Sequence, residues 1–143
     1  MQIKEIMNKD VATVDSGMNV QNVARKMVKS NIGALLVTNG TKLVGIVTER
    51  DIIAKVMAEG KDPQTVKVCE IMTEEVIMVG PNQDIEDAAD VMTEKKIKKL
   101  PVVSGGQLVG IITATDIVAA EPAMLEKMSA LLFFAKTKKP VAG

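Results

Sequence analysis

Apolar residues recur along the chain in two periods, and each period appears twice. Val20, Val23, Ala24, Met27 and Val28 fall at helical spacing behind Asn19, a candidate N-cap, and Ile85, Ala88, Ala89 and Met92 do the same behind Asp84. Two short apolar runs follow each helix: ALLV and KLVGIV around NGT in the first case, LPVV and QLVGII around SGG in the second. Runs of that length around Asn and Gly read as a strand pair closed by a tight turn. A short strand around Ala12 to Val14, or Ile77 to Val79, precedes each helix, and a further helix starts at Thr48 or Thr113. The pattern therefore predicts an α/β fold from strand, helix, strand, strand, helix, used twice.

The duplication is a true repeat. An offset of 65 aligns Ile3 to Ala54 with Val68 to Ala119 without a gap, and about 19 of the 52 positions are identical. One such unit cannot cover both faces of its small sheet, so the two copies are expected to pack together with pseudo-twofold symmetry. The predicted organisation is repeat 1 over 1–60, repeat 2 over 61–120, with AEGKDPQTVK (58–67) as linker, and a C-terminal helix and basic tail over 121–143. In EPAMLEKMSALLFFAK, the residues Met124, Leu125, Met128, Leu131, Leu132 and Ala135 make an amphipathic helix. It is expected to pack on the chain's own core or on a second copy, with a membrane surface or another protein as alternatives and Phe133 and Phe134 as its best anchors.

Composition narrows the chemistry. Of 143 residues 47% are apolar, yet aromatics amount to two Phe, so the core must be aliphatic and Met-rich. Eighteen basic residues balance eighteen acidic ones, which argues against a nucleic-acid partner. MQIKEIMNKD carries charges where a leader's apolar run would stand, and no apolar stretch approaches the roughly 20 residues of a membrane span. A cytoplasmic protein without membrane contact is expected. The absence of His removes the usual general base and zinc ligand. Cys69, alone, reads as a small buried hydrophobe, with a reactive thiol as the alternative.

The best conserved stretch between the copies is GIVTERDI at 45–52 against GIITATDI at 110–117. Gly45 and Gly110 lie in strand-like runs, where glycine marks close approach of another group. Thr48 and Thr113 stand where strand gives way to helix and can accept from first-turn N–H groups, with Asp51 and Asp116 at the third helical position. Two readings are open: a capping box with Asp in place of Glu, or an anion and sugar-diol site in which the helix start and hydroxyl hold phosphate and the carboxylate takes ribose hydroxyls. Between Thr and Asp the copies differ, Glu49-Arg50 against Ala114-Thr115, and Arg50 or Thr115 can each donate to a phosphate oxygen.

A doubled unit whose third strand ends in G-h-h-T-x-x-D, with LPVV at 100–103 and IM near each repeat start, resembles a tandem pair of CBS domains, or Bateman module, over residues 1 to about 120. The resemblance implies two clefts between repeats and a regulatory, non-enzymatic sensor of adenine-containing ligands: AMP, ADP, ATP, S-adenosylmethionine or NAD, with no obligatory cofactor and no metal. Carried over by position, one cleft takes Thr113, Thr115 and Asp116, with Ala12, Ile32, Gly33 and Ala34 as adenine wall and Lys98 and Lys99 towards phosphate. The other takes Thr48, Arg50 and Asp51, with Ile77, Ile97 and Lys98 as wall. Lys98 stands where the first repeat has Gly33, so the Thr113/Asp116 cleft is favoured. Met7 and Met72 are expected in the core. The resemblance further implies a homodimer and an unknown regulated protein. The competing reading is a structural or partner-binding module with empty clefts, acting through the C-terminal helix; an enzymatic reading with Asp51 or Asp116 as base has no partner acid.

Overall fold

The computed structural model describes residues 1–134; Ala135 and the tail KTKKPVAG lie outside the described residues. The chain forms two compact units. The first unit is Ala12–Val76; the second joins Met1–Val11 to the chain from Ile77 onward.

In the first unit, β1 (Thr13–Asp15) pairs in parallel with β2 (Ala34–Asn39), which pairs antiparallel with β3 (Lys42–Thr48). Between them runs α1 (Val20–Ser30), started by Asn19, whose side chain accepts from the Asn22 N–H, and stopped by Asn31 in the left-handed conformation at φ 53°. After β3 comes α2 (Glu49–Ile52), which continues as a wider turn over Ile53–Met57. The linker is docked: Val20 N donates to Val66 O at 2.9 Å and Gln21 N to Pro63 O at 3.0 Å. Val14, Val20, Val23, Met27, Leu35, Val37, Val47, Val56 and Val68 close the core. Burying branched side chains from one helical stripe and alternate strand positions is what holds such a layer together.

The second unit repeats this plan with α3 (Ile85–Lys95), β4 (Lys99–Ser104), β5 (Gln107–Thr113) and α4 (Ala114–Ala120). Asp84 caps α3 by accepting from the Glu86 N–H at 2.9 Å, which holds its carboxyl below the usual carboxylate range. The antiparallel hairpin carries its register shift at Val102/Val103, the position equivalent to the shift at Val37/Thr38 in the first unit. The expected strand at Ile77–Val79 is only a single parallel bridge, Val79 to Val102, among the described residues. The bonds present are Val79 N to Pro101 O and Val103 N to Val79 O. The next one towards Ile77 needs an N–H at position 101, and proline has none; the first repeat has Leu36 there and a complete short strand.

The opening segment of each repeat completes the unit built on the other copy. Ile3 N donates to Gln83 O and Asn8 pairs with Ile111 in the second unit, while Val68 N donates to Met18 O and Thr73 pairs with Ile46 in the first. Val68 and Ile3 are fully buried, at the head of equivalent short 3-10 turns, Val68–Glu70 and Ile3–Glu5. Cys69, expected inside, is exposed instead. It is the second residue of its turn, where the first repeat has Lys4, so the side chain points away from the core that Val68 enters.

A segment without a counterpart in the first unit follows α4: a 3-10 turn at Pro122–Met124, then α5 (Leu125–Ser129), continuing as a wider turn to Phe134. Met124, Met128 and Leu131 join the buried cluster of Ala88, Ala89, Met92, Leu100 and Ile117. Lys127 pairs with Glu86 and Asp90 of α3, and the Asp90 carboxylate holds its ammonium above the ordinary lysine value. The helix thus packs on the chain's own core, but Phe133, expected as an anchor, is 57% exposed, because it lies off the Met124, Met128, Leu131 stripe.

Candidate functional site

Both Thr-x-x-Asp turns form the capping box. Thr48 N donates to Asp51 Oδ2 at 2.9 Å and Asp51 N to Thr48 Oγ1 at 3.1 Å; in the second repeat Thr113 N donates to Asp116 Oδ2 at 3.0 Å and Asp116 N to Thr113 Oγ1 at 3.1 Å. The two reciprocal backbone bonds match, and in the first box the Thr48 hydroxyl also donates to Asp51 Oδ2 at 3.1 Å. They fix each carboxylate at the end of a strand, half-buried, with the residue before it exposed: Arg50 in one, Thr115 in the other.

The glycines of the motif serve close packing. A Cβ on Gly45 would lie 2.6 Å from Met72 Sδ and 2.9 Å from Thr73 O; on Gly110 it would lie 2.7 Å from Met7 Sδ and 3.0 Å from Asn8 O. The group expected near these backbones is therefore the opening segment of the other repeat, pressed on the strand through paired N–H and C=O groups at 46/73 and 111/8. Met72 and Met7 pack against the two cores, as expected, and also line equivalent open hollows near the hairpin turns.

At the other end of each hairpin, where the Thr stands, the loop after the first helix comes alongside. In the first unit Ala34 pairs with Thr48, and Glu49 N donates to Gly33 O at 3.0 Å. In the second, Lys99 pairs with Thr113, and Ala114 N donates to Lys98 O at 2.8 Å. Ala12, Ile32, Gly33 and Ala34 thus belong to the unit of Thr48, Arg50 and Asp51, and Ile77, Ile97, Lys98 and Lys99 to that of Thr113, Thr115 and Asp116. Ala12, Gly33, Ala34, Ile77 and Lys99 are exposed; Ile32 and Ile97 are half-buried against their cores.

Two neighbours distinguish the turns. Over Gly33 lies the Glu49 side chain, 3.2 Å from where a Cβ would stand. The second unit reverses this pair: Lys98 replaces Gly33 and Ala114, buried, replaces Glu49. Asp51 Oδ1 also pairs with Lys55 at 3.2 Å, one helical turn on. The equivalent of Lys55 is Ala120, so no lysine follows Asp116 at that spacing. Lys55 is the residue that sequence reasoning passes over, and Glu49 figures there only as a difference between the copies. The (i, i+4) spacing of Asp51 and Lys55 was a readable signal; the Glu49 contact with Gly33 depends on the fold. The charges balance at Thr48/Asp51, where Glu49 and Asp51 stand beside Arg50 and Lys55 and one pair is closed, whereas Lys98 and Lys99 adjoin Thr113/Asp116.

Comparison with known proteins agrees with this architecture. The model of the CBS domain matches residues 3–58 and 68–123. The CBS domain-containing protein YhcV of Bacillus subtilis is 37% identical over 115 residues, covering 80% of this chain and 81% of its own. The crystal structure of Hypoxic Response Protein I, with two coordinated zinc ions, superposes with a TM-score of 0.74 at 33% identity, covering 84% of this chain and 98% of its own. The domain pair of protein MJ0100 in complex with 5′-methylthioadenosine and S-adenosyl-L-methionine gives a TM-score of 0.66 at 33% identity, with coverage of 84% and 98%. Among the described residues no three Cys, Asp or Glu side chains gather to hold a metal ion, and no helix is long and apolar enough to cross a membrane.

Proposed function

The chain belongs to the CBS domain family, and we propose that it is a non-catalytic regulatory module that binds an adenine-containing ligand through its Thr-x-x-Asp turns, preferentially at Thr113 and Asp116. The ligand class, AMP, ADP, ATP or S-adenosylmethionine, is supported by the adenosyl compounds in the MJ0100 complex. One observation carries the preference: Asp51 is tied to Lys55 and flanked by Glu49, whereas Asp116 is followed by Ala120 and stands in a unit whose adjoining loop bears Lys98 and Lys99. In this reading the Asp116 carboxylate accepts from ribose hydroxyls, Thr115 donates to a phosphate or carboxylate oxygen, and the lysines attract the anionic end. Ile77 and Ile97 in the second unit, and Ala12, Ile32, Gly33 and Ala34 in the first, supply apolar surface for an adenine; Thr48, Arg50 and Asp51 form the weaker site.

Regulation requires the ligand to favour one conformation of the chain or of its homodimer over another, since equal affinity shifts nothing. The test is melting temperature against AMP, ADP, ATP and S-adenosylmethionine, because a native-state ligand at 100 times its Kd stabilises by about 2.7 kcal/mol. At least one of them is expected to raise it. Asp116→Ala should then weaken binding by about 1.5–3 kcal/mol, the scale of a charged hydrogen bond, and Asp51→Ala by clearly less. Unchanged affinity in a folded Asp116→Ala variant rejects the assignment. A second reading has one observation in its favour: both capping boxes are complete from the chain alone. In that case no ligand shifts the melting temperature at millimolar concentration, and the protein acts through its exposed helical surfaces.

A further inference from the structure

Beside each Thr-x-x-Asp turn runs the loop that leads into the first hairpin strand, and the charge at that junction differs between the units. In the second unit Ala114 N donates to Lys98 O at 2.8 Å and Lys99 stands in register with Thr113, so two lysines adjoin the turn. In the first unit Glu49 N makes the same bond to Gly33 O at 3.0 Å, and Ala34 stands in register with Thr48. Neither loop residue carries charge here. The Glu49 carboxylate lies over Gly33 instead, its two oxygens 3.2 and 3.6 Å from where a Cβ would stand. A side chain at Gly33 would crowd that carboxylate, so glycine and glutamate belong together, as Lys98 goes with the small, buried Ala114. At equivalent places the first turn therefore has a carboxylate and the second has two lysines.

We propose that the two turns divide adenosyl ligands by charge: the second takes a phosphorylated nucleotide, and the first takes an adenosyl sulfonium, the class of S-adenosylmethionine, with Glu49 as the residue that selects it. This rests on the adenosyl reading above, in which Asp51 or Asp116 accepts from the ribose hydroxyls and the 5′ end points to the loop. A triphosphate laid that way on the first turn brings its charged oxygens to Glu49, and the repulsion grows with each phosphate. A sulfonium has no hydrogen to donate, so charge alone holds it, and a carboxylate nearby serves without a fixed bond geometry. Arg50 works against this selection from the helical side of the turn, at the place of Thr115, while Lys55 is paired with Asp51. Glu49 is the charge that lies on the loop, where the 5′ end arrives.

The test titrates the full chain by calorimetry with ATP and with two sulfur compounds, S-adenosylmethionine and S-adenosylhomocysteine, which differ only by the methyl group that makes the sulfur cationic. In the unchanged chain ATP and S-adenosylmethionine are expected to bind together, neither displacing the other. In Asp116→Ala, which leaves the first turn intact, S-adenosylmethionine should bind about fivefold or more tightly than S-adenosylhomocysteine, the worth of one charge pair about 4 Å apart even in water. In Asp51→Ala the tighter ligand should be ATP. Glu49→Gln keeps the side-chain shape and should erase the preference for the sulfonium. Gly33→Lys with Glu49→Ala gives the first turn the second unit's own pair and should turn it to ATP. Equal affinity for the two sulfur compounds, a preference that survives Glu49→Gln, or ATP displacing S-adenosylmethionine from the unchanged chain would overturn the proposal and leave the adenosyl reading standing. No binding of any of the three to the unchanged chain would sink both.

Discussion

The turns at Thr48 and Thr113 share their two reciprocal backbone hydrogen bonds to within 0.1 Å, yet their neighbours differ in every charged position. Around Thr48 the first unit sets Glu49 over Gly33 and pairs Asp51 with Lys55. Around Thr113 the second sets Lys98 beside Ala114 and has Ala120 where that pairing lysine would be. The duplicated backbone device does the same structural work in both copies, starting a helix at the end of a strand. The differences lie around the cap, at Glu49/Ala114, Gly33/Lys98 and Lys55/Ala120, where side chains change without disturbing it. The outer helices differ likewise: Glu86 and Asp90 of α3 hold Lys127, and α1 has Gln21 and Arg25 at those places.

The largest expected effect breaks the asymmetry between the units. Met128 is fully buried in the core of the second unit and has no equivalent in the first, so Met128→Ala should cost about 2–5 kcal/mol. Urea denaturation would measure it; a loss well under 1 kcal/mol would mean that the C-terminal helix is an ornament on a self-sufficient unit. Next in size is the pair Gly45→Ala and Gly110→Ala. Each added Cβ meets a methionine sulfur and a backbone carbonyl at 3.0 Å or less, so each is expected to destabilise by roughly 1–3 kcal/mol through overpacking. The two costs should match, and unequal values would show that the opening segments press on the two units differently.

A smaller change sharpens the comparison of the turns themselves. Lys55→Ala removes a half-exposed pair with Asp51 and a hydrogen bond to Ile71 O at 2.9 Å, and should lower stability by about 0.5–2 kcal/mol. If the proposed adenosyl sites hold, releasing the Asp51 carboxylate should also strengthen ligand binding at the first unit, which calorimetry would read as a rise in the weaker of two affinities. No rise would mean that Glu49, rather than Lys55, limits that turn. The smallest effect is one of pH. Asp84 titrates below its usual value in the folded chain because the Glu86 N–H bonds its charged form, so its contribution is present above the ordinary carboxylate range and is lost as pH falls through the lowered value. Its equivalent Asn19 has no such dependence. Replacing Asp84 with Asn should flatten the acid side of the stability profile, and parallel profiles for variant and parent would remove the cap from the account.

Much of this was legible before any coordinates. Asn19, Asp84, Thr48 and Thr113 cap the helices they were expected to cap, because a cap is a contact within three residues. The two hairpins and the stripe Val20, Val23, Met27 follow from period and turn chemistry alone. Other features resisted. Cys69 is outward because a three-residue turn gives its inward position to Val68, although the alignment with Lys4 carried the hint. The bridge at Val79 is short because Pro101 lacks one N–H, a consequence visible only once strand 99–104 is known to lie beside it.

The sequence by itself determined the repeat, the elements within it, the Thr-x-x-Asp caps and the family, since all of these rest on local spacing or on comparison of one stretch with another. Only the tertiary structure decided which copy each opening segment completes. Residues 3–11 and 68–76 are near-equivalents and fit similar grooves beside Gly110 and Gly45, so local preference cannot choose between them. The choice belongs to chain closure: the linker, held to α1 by Val66 and Pro63, delivers Val68 to the unit just built, and leaves Ile3 to the one that follows. It likewise decided that Glu49 lies over Gly33, a contact between residues sixteen apart that no period in the sequence reports.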